Sequence, residues 1–148
     1  MPTFSDISSM SKYIKNAIKE INEDKVSKEA KKDYEKAIDD TVYKVATTWQ
    51  TGSFLNSVNT NSKSTKNSSS VKIFTDERLM TNSYPSLAEG YPQDNRSSIS
   101  WWIDQGHGGI FNVPGRGYFK LFMTEYFTQS KLKGIMVKEL GKLGIQAR

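Results

Sequence analysis

A chain of 148 residues with 36% hydrophobic and 11% aromatic side chains is long enough for one real core and too short for two generous ones. With no cysteine it has no disulfide framework, thiolate metal site or thiol nucleophile. No apolar run approaches the roughly 18 residues of a membrane span, and the start lacks a signal-peptide apolar core, so solubility in the cytoplasm is expected. The net charge is +5, concentrated late: residues 99–148 carry seven basic against three acidic side chains, whereas residues 1–49 balance nine against nine.

Phe4, Ile7, Met10, Ile14, Ala17, Ile18 and Ile21 recur three and four apart, which predicts a first helix over 4–24, capped by Ser5 or Thr3. Asn22-Glu23-Asp24 interrupts that stripe. A second helix is predicted over 28–49, capped by Ser27 and with Glu29 in its first turn, where the macrodipole favours an anion. Its apolar face is Ala30, Tyr34, Ala37, Ile38, Val42, Val45, Ala46 and Trp49. The pattern leaves open whether the two are one bent helix.

Thr51-Gly52-Ser53 stops the helix, and Phe54, Leu55 and Val58 form a short apolar patch. Residues 59–70 hold no apolar side chain and cannot offset their ordering by burial. They are either a flexible loop or the polar tip of a long hairpin, made positive by Lys63 and Lys66. Residues 71–80 alternate as a strand, with Val71, Ile73 and Thr75 on one face, and would pair with about 56–62. Pro85, Gly90, Pro92, Asp94 and Asn95 mark 81–98 as loop.

Residues 99–127 organise the rest. They contain two of the three tryptophans, the only histidine and five of the ten glycines. An apolar-aromatic segment (Ile99, Trp101, Trp102, Ile103) leads into a glycine-rich turn at 106–109 and a Pro114-Gly115 corner, where Gly and Pro permit sharp reversals. Helical spacing returns with Phe119, Phe122, Met123, Tyr126 and Phe127. After Thr128-Gln129-Ser130 it resumes with Leu132, Ile135, Met136, Leu140 and Leu143, weakened by about 1 kcal/mol at each of Gly134 and Gly141. The basic surplus here reads first as the lysine coat of an amphipathic helix, and second as a face toward nucleic acid or an acidic partner.

Enzyme chemistry is not expected. His107 has Asp104 three residues away but no second histidine and no cysteine, so neither a metal pair nor a nucleophile–base pair is available to it. The glycine-rich turn lacks the Gly-Lys-Ser/Thr ending of a phosphate loop. Asp39-Asp40 and Asp76-Glu77 are sequence neighbours that point to different faces, not carboxylates converging on one cleft. Hence no catalytic residue, cofactor or metal is assigned. Trp101, Trp102, Tyr118 and Phe119 beside Arg116 and Lys120 would suit base stacking. The preferred reading puts one tryptophan in the core and the other in a subunit interface.

The order of features resembles the tailed-bacteriophage family of head–tail joining and tail-completion proteins. Its TG-x-L-x-x-S segment is matched by Thr51, Gly52, Leu55 and loosely Ser57. Trp102, Ile103, Asp104, Gly106 and His107 match its Y-x-x-x-V/I-E-x-G-T/H segment, and Pro114 to Phe119 match its P-x-R-P-F/Y-F corner. Two positions depart: Asp104 replaces glutamate, and Gly117 stands where the family usually has proline. The likeness covers roughly residues 30–145.

The resemblance implies an α+β fold: a small antiparallel sheet with a long hairpin, flanked by N-terminal helices and a C-terminal helix. The expected layout is one domain over 1–148, with a helical part over 1–50, sheet, hairpin and aromatic corner over 51–127, and the last helix over 118–145. It further implies a virion protein of the neck or tail end, made in the host cytoplasm, forming a homo-oligomeric, hexameric ring. Its partners would be tail-tube protein and head connector proteins. Genomic DNA would pass through the channel without sequence-specific contacts, and no membrane is involved. The expected interface is Trp101, Trp102, His107, Arg116, Tyr118 and Phe119. From the residues themselves, Arg116 is expected to hold the Pro114-Gly115 corner through hydrogen bonds to carbonyls or a carboxylate, Asp104 first. Lys63 and Lys66 would face the channel or a neighbour. The alternative is a single-stranded nucleic-acid-binding module using the basic, aromatic last third.

Overall fold

The computed structural model describes residues 2–44, 53–76, 79, 106–107 and 113–147, with backbone alone at 53, 106–107 and 113–114. The architecture is mixed α+β, with helices at both ends and an antiparallel two-stranded sheet between them.

Helix α1 (Ile7–Ile21) and helix α2 (Ser27–Ile38) are one uninterrupted rod, joined through a π-helical turn at Asn22–Val26 and extended by a second at Asp39–Tyr43. Every junction residue stays in the right-handed helical region. The interruption at 22–24 is therefore a change of pitch and not a break. Ile21 and Val26 are five apart, off-phase in an α-helix of 3.6 residues per turn. A turn closed five residues back, with Ser27 N–H bonded to the Asn22 carbonyl, brings both into one buried cluster. Ile38 and Tyr43, also five apart across the second π turn, share the other cluster.

The caps differ from the sequence expectation. Asp6 closes α1, its carboxylate accepting from Ser9 N–H at 2.7 Å. Ser27 caps nothing: it lies inside the rod and its hydroxyl donates to the Asn22 carbonyl at 2.8 Å.

A short helix α3 (Ser53–Asn56) leads into strand β1 (Val58–Ser64), which pairs with strand β2 (Ser69–Thr75) from Val58↔Thr75 to Ser64↔Ser69. The polar stretch is thus a hairpin, both strands shifted two residues toward the tip from the expected start of each. The hairpin lies along the rod. At its base Val58 is fully buried in the cluster of Tyr34, Ala37 and Ile38. Farther along, Val71 meets Ala17, Ile21 and Val26. At its tip Asn22 donates to the Ser69 hydroxyl at 2.7 Å, and Ser69 is hydrogen-bonded to Ser64 at 2.9 Å. A tight Thr65-to-Ser68 loop closes it, Thr65 N–H bonding the Ser68 carbonyl at 2.7 Å.

Strands β3 (Gly106–His107) and β4 (Val113–Pro114) form a two-residue antiparallel ribbon, Gly106 opposite Pro114 and His107 opposite Val113. The predicted helix over 118–145 is divided. Helix α4 (Tyr118–Leu121) runs into a third π turn at Phe122–Tyr126, the chain breaks at Phe127–Thr128, and helix α5 (Gln129–Lys142) follows. Again the apolar residues five apart are aligned: Phe122 and Phe127 stack at 5.8 Å with rings 8° from parallel. Thr128 caps α5 through its hydroxyl, so the polar break is a helix start.

Among the described residues two buried clusters result. One joins Tyr34, Ala37, Ile38, Phe54, Val58, Tyr118 and Phe122; the other joins Ala17, Ile21, Val26 and Leu140; Phe127 packs against both. Edge-to-face rings organise the first, with Tyr34–Tyr118 at 5.6 Å, Tyr34–Phe122 at 5.0 Å and Phe54–Tyr118 at 5.3 Å. Each such pair contributes about 0.5–1.5 kcal/mol beyond its burial. Helix α5 runs antiparallel to the rod. Lys131 near its start reaches Asp33 at 2.5 Å, and beyond its end the Leu143 carbonyl accepts from the Tyr13 hydroxyl at 3.2 Å.

Candidate assembly surfaces

The corner before α4 turns on Gly117, whose φ of 62° is left-handed. Its carbonyl accepts from Leu121 N–H at 3.1 Å and so starts the helix. Within that helix, residues four apart share a side. Tyr118 and Phe122 point inward, at 3% and 2% exposure, while Phe119 and Met123 stand outward at 49% and 52%. Lys120 is exposed and Arg116 half-buried beside them.

Of the expected interface residues, Tyr118 is thereby corrected. Its ring belongs to the core, because it is the aromatic that meets Tyr34 and Phe54. Phe119 is presented to solvent. Arg116 makes no side-chain hydrogen bond or ion pair with another described residue, and its expected partner Asp104 lies outside them. Trp101, Trp102 and Asp104 lie outside the described residues, and of His107 only the backbone pairing is described.

A second apolar surface stands at the other end of the rod. The stripe of α1 is buried at Ala17 and Ile21 but continues toward the N-terminus past the end of α5. Its first turns leave Ile7 80% and Met10 41% exposed, with Phe4 and Leu143 beside them at 37% each. Phe4 leans on Tyr13, ring centres 5.2 Å apart, and the Tyr13 hydroxyl ties this end to Leu143. Periodicity placed Ile7 and Met10 on the right face; that the face outruns its cover depends on where α5 stops.

The hairpin supplies a third surface. Val58, Thr60, Ser62, Val71, Ile73 and Thr75 alternate toward the rod, leaving Asn59, Asn61, Lys63, Ser70, Lys72 and Phe74 on the outer face. Lys63, Lys66 and Lys72 are exposed, and residues 53–75 contain no acidic side chain. The Lys72 ammonium lies 5.6 Å from the Phe74 ring centre. Lys72 completes the pair singled out from sequence; two-residue alternation from Ile73 was the signal for it.

Charged groups elsewhere brace the frame. Lys131 bridges buried Asp33 and half-exposed Glu29. Asp40 accepts from both Lys44 and the Tyr126 hydroxyl; the Lys44 bond first, then the Tyr126 bond, lower its pKa. The same Asp40 bond raises that of Tyr126. Burial raises Tyr43. Among the described residues no cluster of His, Asp and Glu is arranged to hold a metal ion, and no helix is long and apolar enough to cross a membrane. Compared with known proteins, the chain matches no family model, no curated protein and no solved structure.

Proposed function

We propose that this chain is a structural subunit of a tailed-bacteriophage virion, assembling with copies of itself as a ring at the head–tail joint, around the DNA channel. The observation that carries the assembly reading is large apolar surface standing outside the monomer's two clusters: Phe4, Ile7, Met10, Phe119, Met123 and Leu143. Grouped exposed side chains of this kind are the usual anchors of protein–protein contacts. The phage assignment rests on the sequence resemblance. The Gly106–Pro114 pairing supports it by bringing the ends of two of the resembling segments side by side. The acid-free, lysine-bearing hairpin face suits a subunit that passes a phosphate backbone without reading bases.

Native mass measurement of the purified protein, alone and with tail-tube and head-connector proteins, tests the proposal. A discrete multi-copy mass that persists at high salt and without DNA is expected. A monomer under every condition, with affinity for single-stranded DNA falling steeply with salt, would favour the nucleic-acid-binding alternative.

A further inference from the structure

Register fixes which side chains the hairpin turns away from the rod: the outward pairs are Asn59 with Phe74, Asn61 with Lys72 and Lys63 with Ser70. Lys66 stands in the closing loop, and Lys63, Lys66 and Lys72 are all exposed. On the helices opposite charges are interleaved and bridged, as in Lys19–Glu23, Lys31–Glu35 and Lys142–Glu139. The hairpin has no such balance. Residues 41–75 contain no acidic side chain, and the next acid, Asp76, follows the end of β2. Among the described residues none of the three hairpin lysines is in an ion pair. Resting on the proposal that DNA passes this subunit, we infer that the outer face of the hairpin is its nucleic-acid contact. Lys63, Lys66 and Lys72 hold the phosphodiester backbone of duplex DNA.

The chemistry of the face selects that partner. Beside the lysines stand Asn59, Asn61 and Ser70, amides and a hydroxyl of the kind that donate to phosphate oxygens. No arginine is present to grip a guanine edge. No group of large apolar side chains is present to anchor a protein. The one aromatic, Phe74, is half-buried and lies 5.6 Å from the Lys72 ammonium. The scaffold also holds the row in place, through fully buried Val58 at the base and the Asn22–Ser69 hydrogen bond at the tip. Two strand steps, about 7 Å, separate the levels of Lys72 and Lys63. Their flexible stems therefore bring both ammonium groups to one backbone.

Fluorescence anisotropy with two 30-base-pair duplexes of different sequence, each read across a salt series, tests this. The parent should bind both equally. Three phosphate contacts per subunit predict an affinity falling about 40-fold between 50 and 200 mM salt. Lys63→Gln/Lys66→Gln/Lys72→Gln should bind at least about 10-fold more weakly at 100 mM salt and lower the salt slope by about 0.9 for each lysine removed. Its circular dichroism and native mass should match the parent. Lys133→Gln/Lys138→Gln, on the exposed face of α5, should bind as the parent does. An unaffected hairpin variant, an equal loss in the α5 variant, or a parent that prefers polyglutamate to either duplex overturns the inference. A parent that assembles yet binds no duplex overturns it while leaving the ring standing. A monomeric parent that binds through the hairpin sinks the ring and keeps this contact. Lys63→Gln/Lys66→Gln repeats the test if the triple variant misfolds.

Discussion

Gly117 holds a φ of +62° with nothing within 4 Å of where a Cβ would stand. The cost of a side chain there is therefore backbone strain alone, about 1–2 kcal/mol for an L-residue. Gly117→Ala should destabilise by about that amount in a denaturant melt, without disturbing neighbours. Gly117→Pro should lose the corner altogether, because the proline ring locks φ near −65°. Gly117 is thus a residue that proline cannot replace in this backbone. A second residue-scale expectation concerns Asp24. Its hydrogen bond to Lys28 first, then that to Lys25, lower its pKa to about 2. A lowered acid pKa stabilises the folded state above the unfolded value of 3.8, and that contribution fades as pH falls through 3.8 toward 2. The group is exposed, so the effect is small and screened by salt. In an NMR titration Lys28→Ala should move the Asp24 midpoint upward; an unmoved midpoint would remove Lys28 as its cause.

At the scale of elements, the π turns explain how a pattern that slips out of phase stays on one side. Asn22–Val26 accommodates one residue more than an α turn would, and the chain beyond it resumes on the same face. Deleting the exposed Glu23 should convert this turn to α-helix and keep Ile21 and Val26 together, with the thermal transition largely preserved. Inserting one alanine after Glu23 should rotate α2 by about 100° against α1 and carry Tyr34 and Ile38 away from Tyr118 and Phe122, with loss of cooperative folding. Equal tolerance of both changes would refute this role. The hairpin teaches a related lesson. Residues 59–70 have no apolar side chains, yet they are placed on the rod by Val58 at one end and the Asn22–Ser69 bond at the other.

At the scale of the molecule, two modest clusters are linked by Phe127, which touches both. Phe127→Ala should cost about 2 kcal/mol, the usual value of burying a large apolar side chain. It should also weaken the coupling between the two ends, seen by calorimetry as a broadened or split transition where the parent shows one. A single sharp transition at the parental temperature would mean that the hairpin and α5 couple the ends without it. The same division accounts for the exposed patches: each cluster covers its own stretch of the rod, and the apolar stripe of α1 continues past the end of α5.

The amino-acid order by itself determined the elements whose cause is local. The stripes at 7–21 and 30–42 specify helix because side chains three and four apart share a face, and alternation around Ile73 specifies a strand. The polar run before it specifies a hairpin tip once two strands flank it. Tertiary structure alone decided the rest. Tyr118 and Phe119 are adjacent and equally aromatic, and only the rings waiting at Tyr34 and Phe54 choose which one goes inward. Spacing showed a gap after Ile21, but whether a helix ends there or changes pitch depends on a buried partner for Val26, which Leu140 supplies from the other end of the chain. Each of these choices is made by contacts between residues far apart in sequence, whose energies appear only when the surfaces meet.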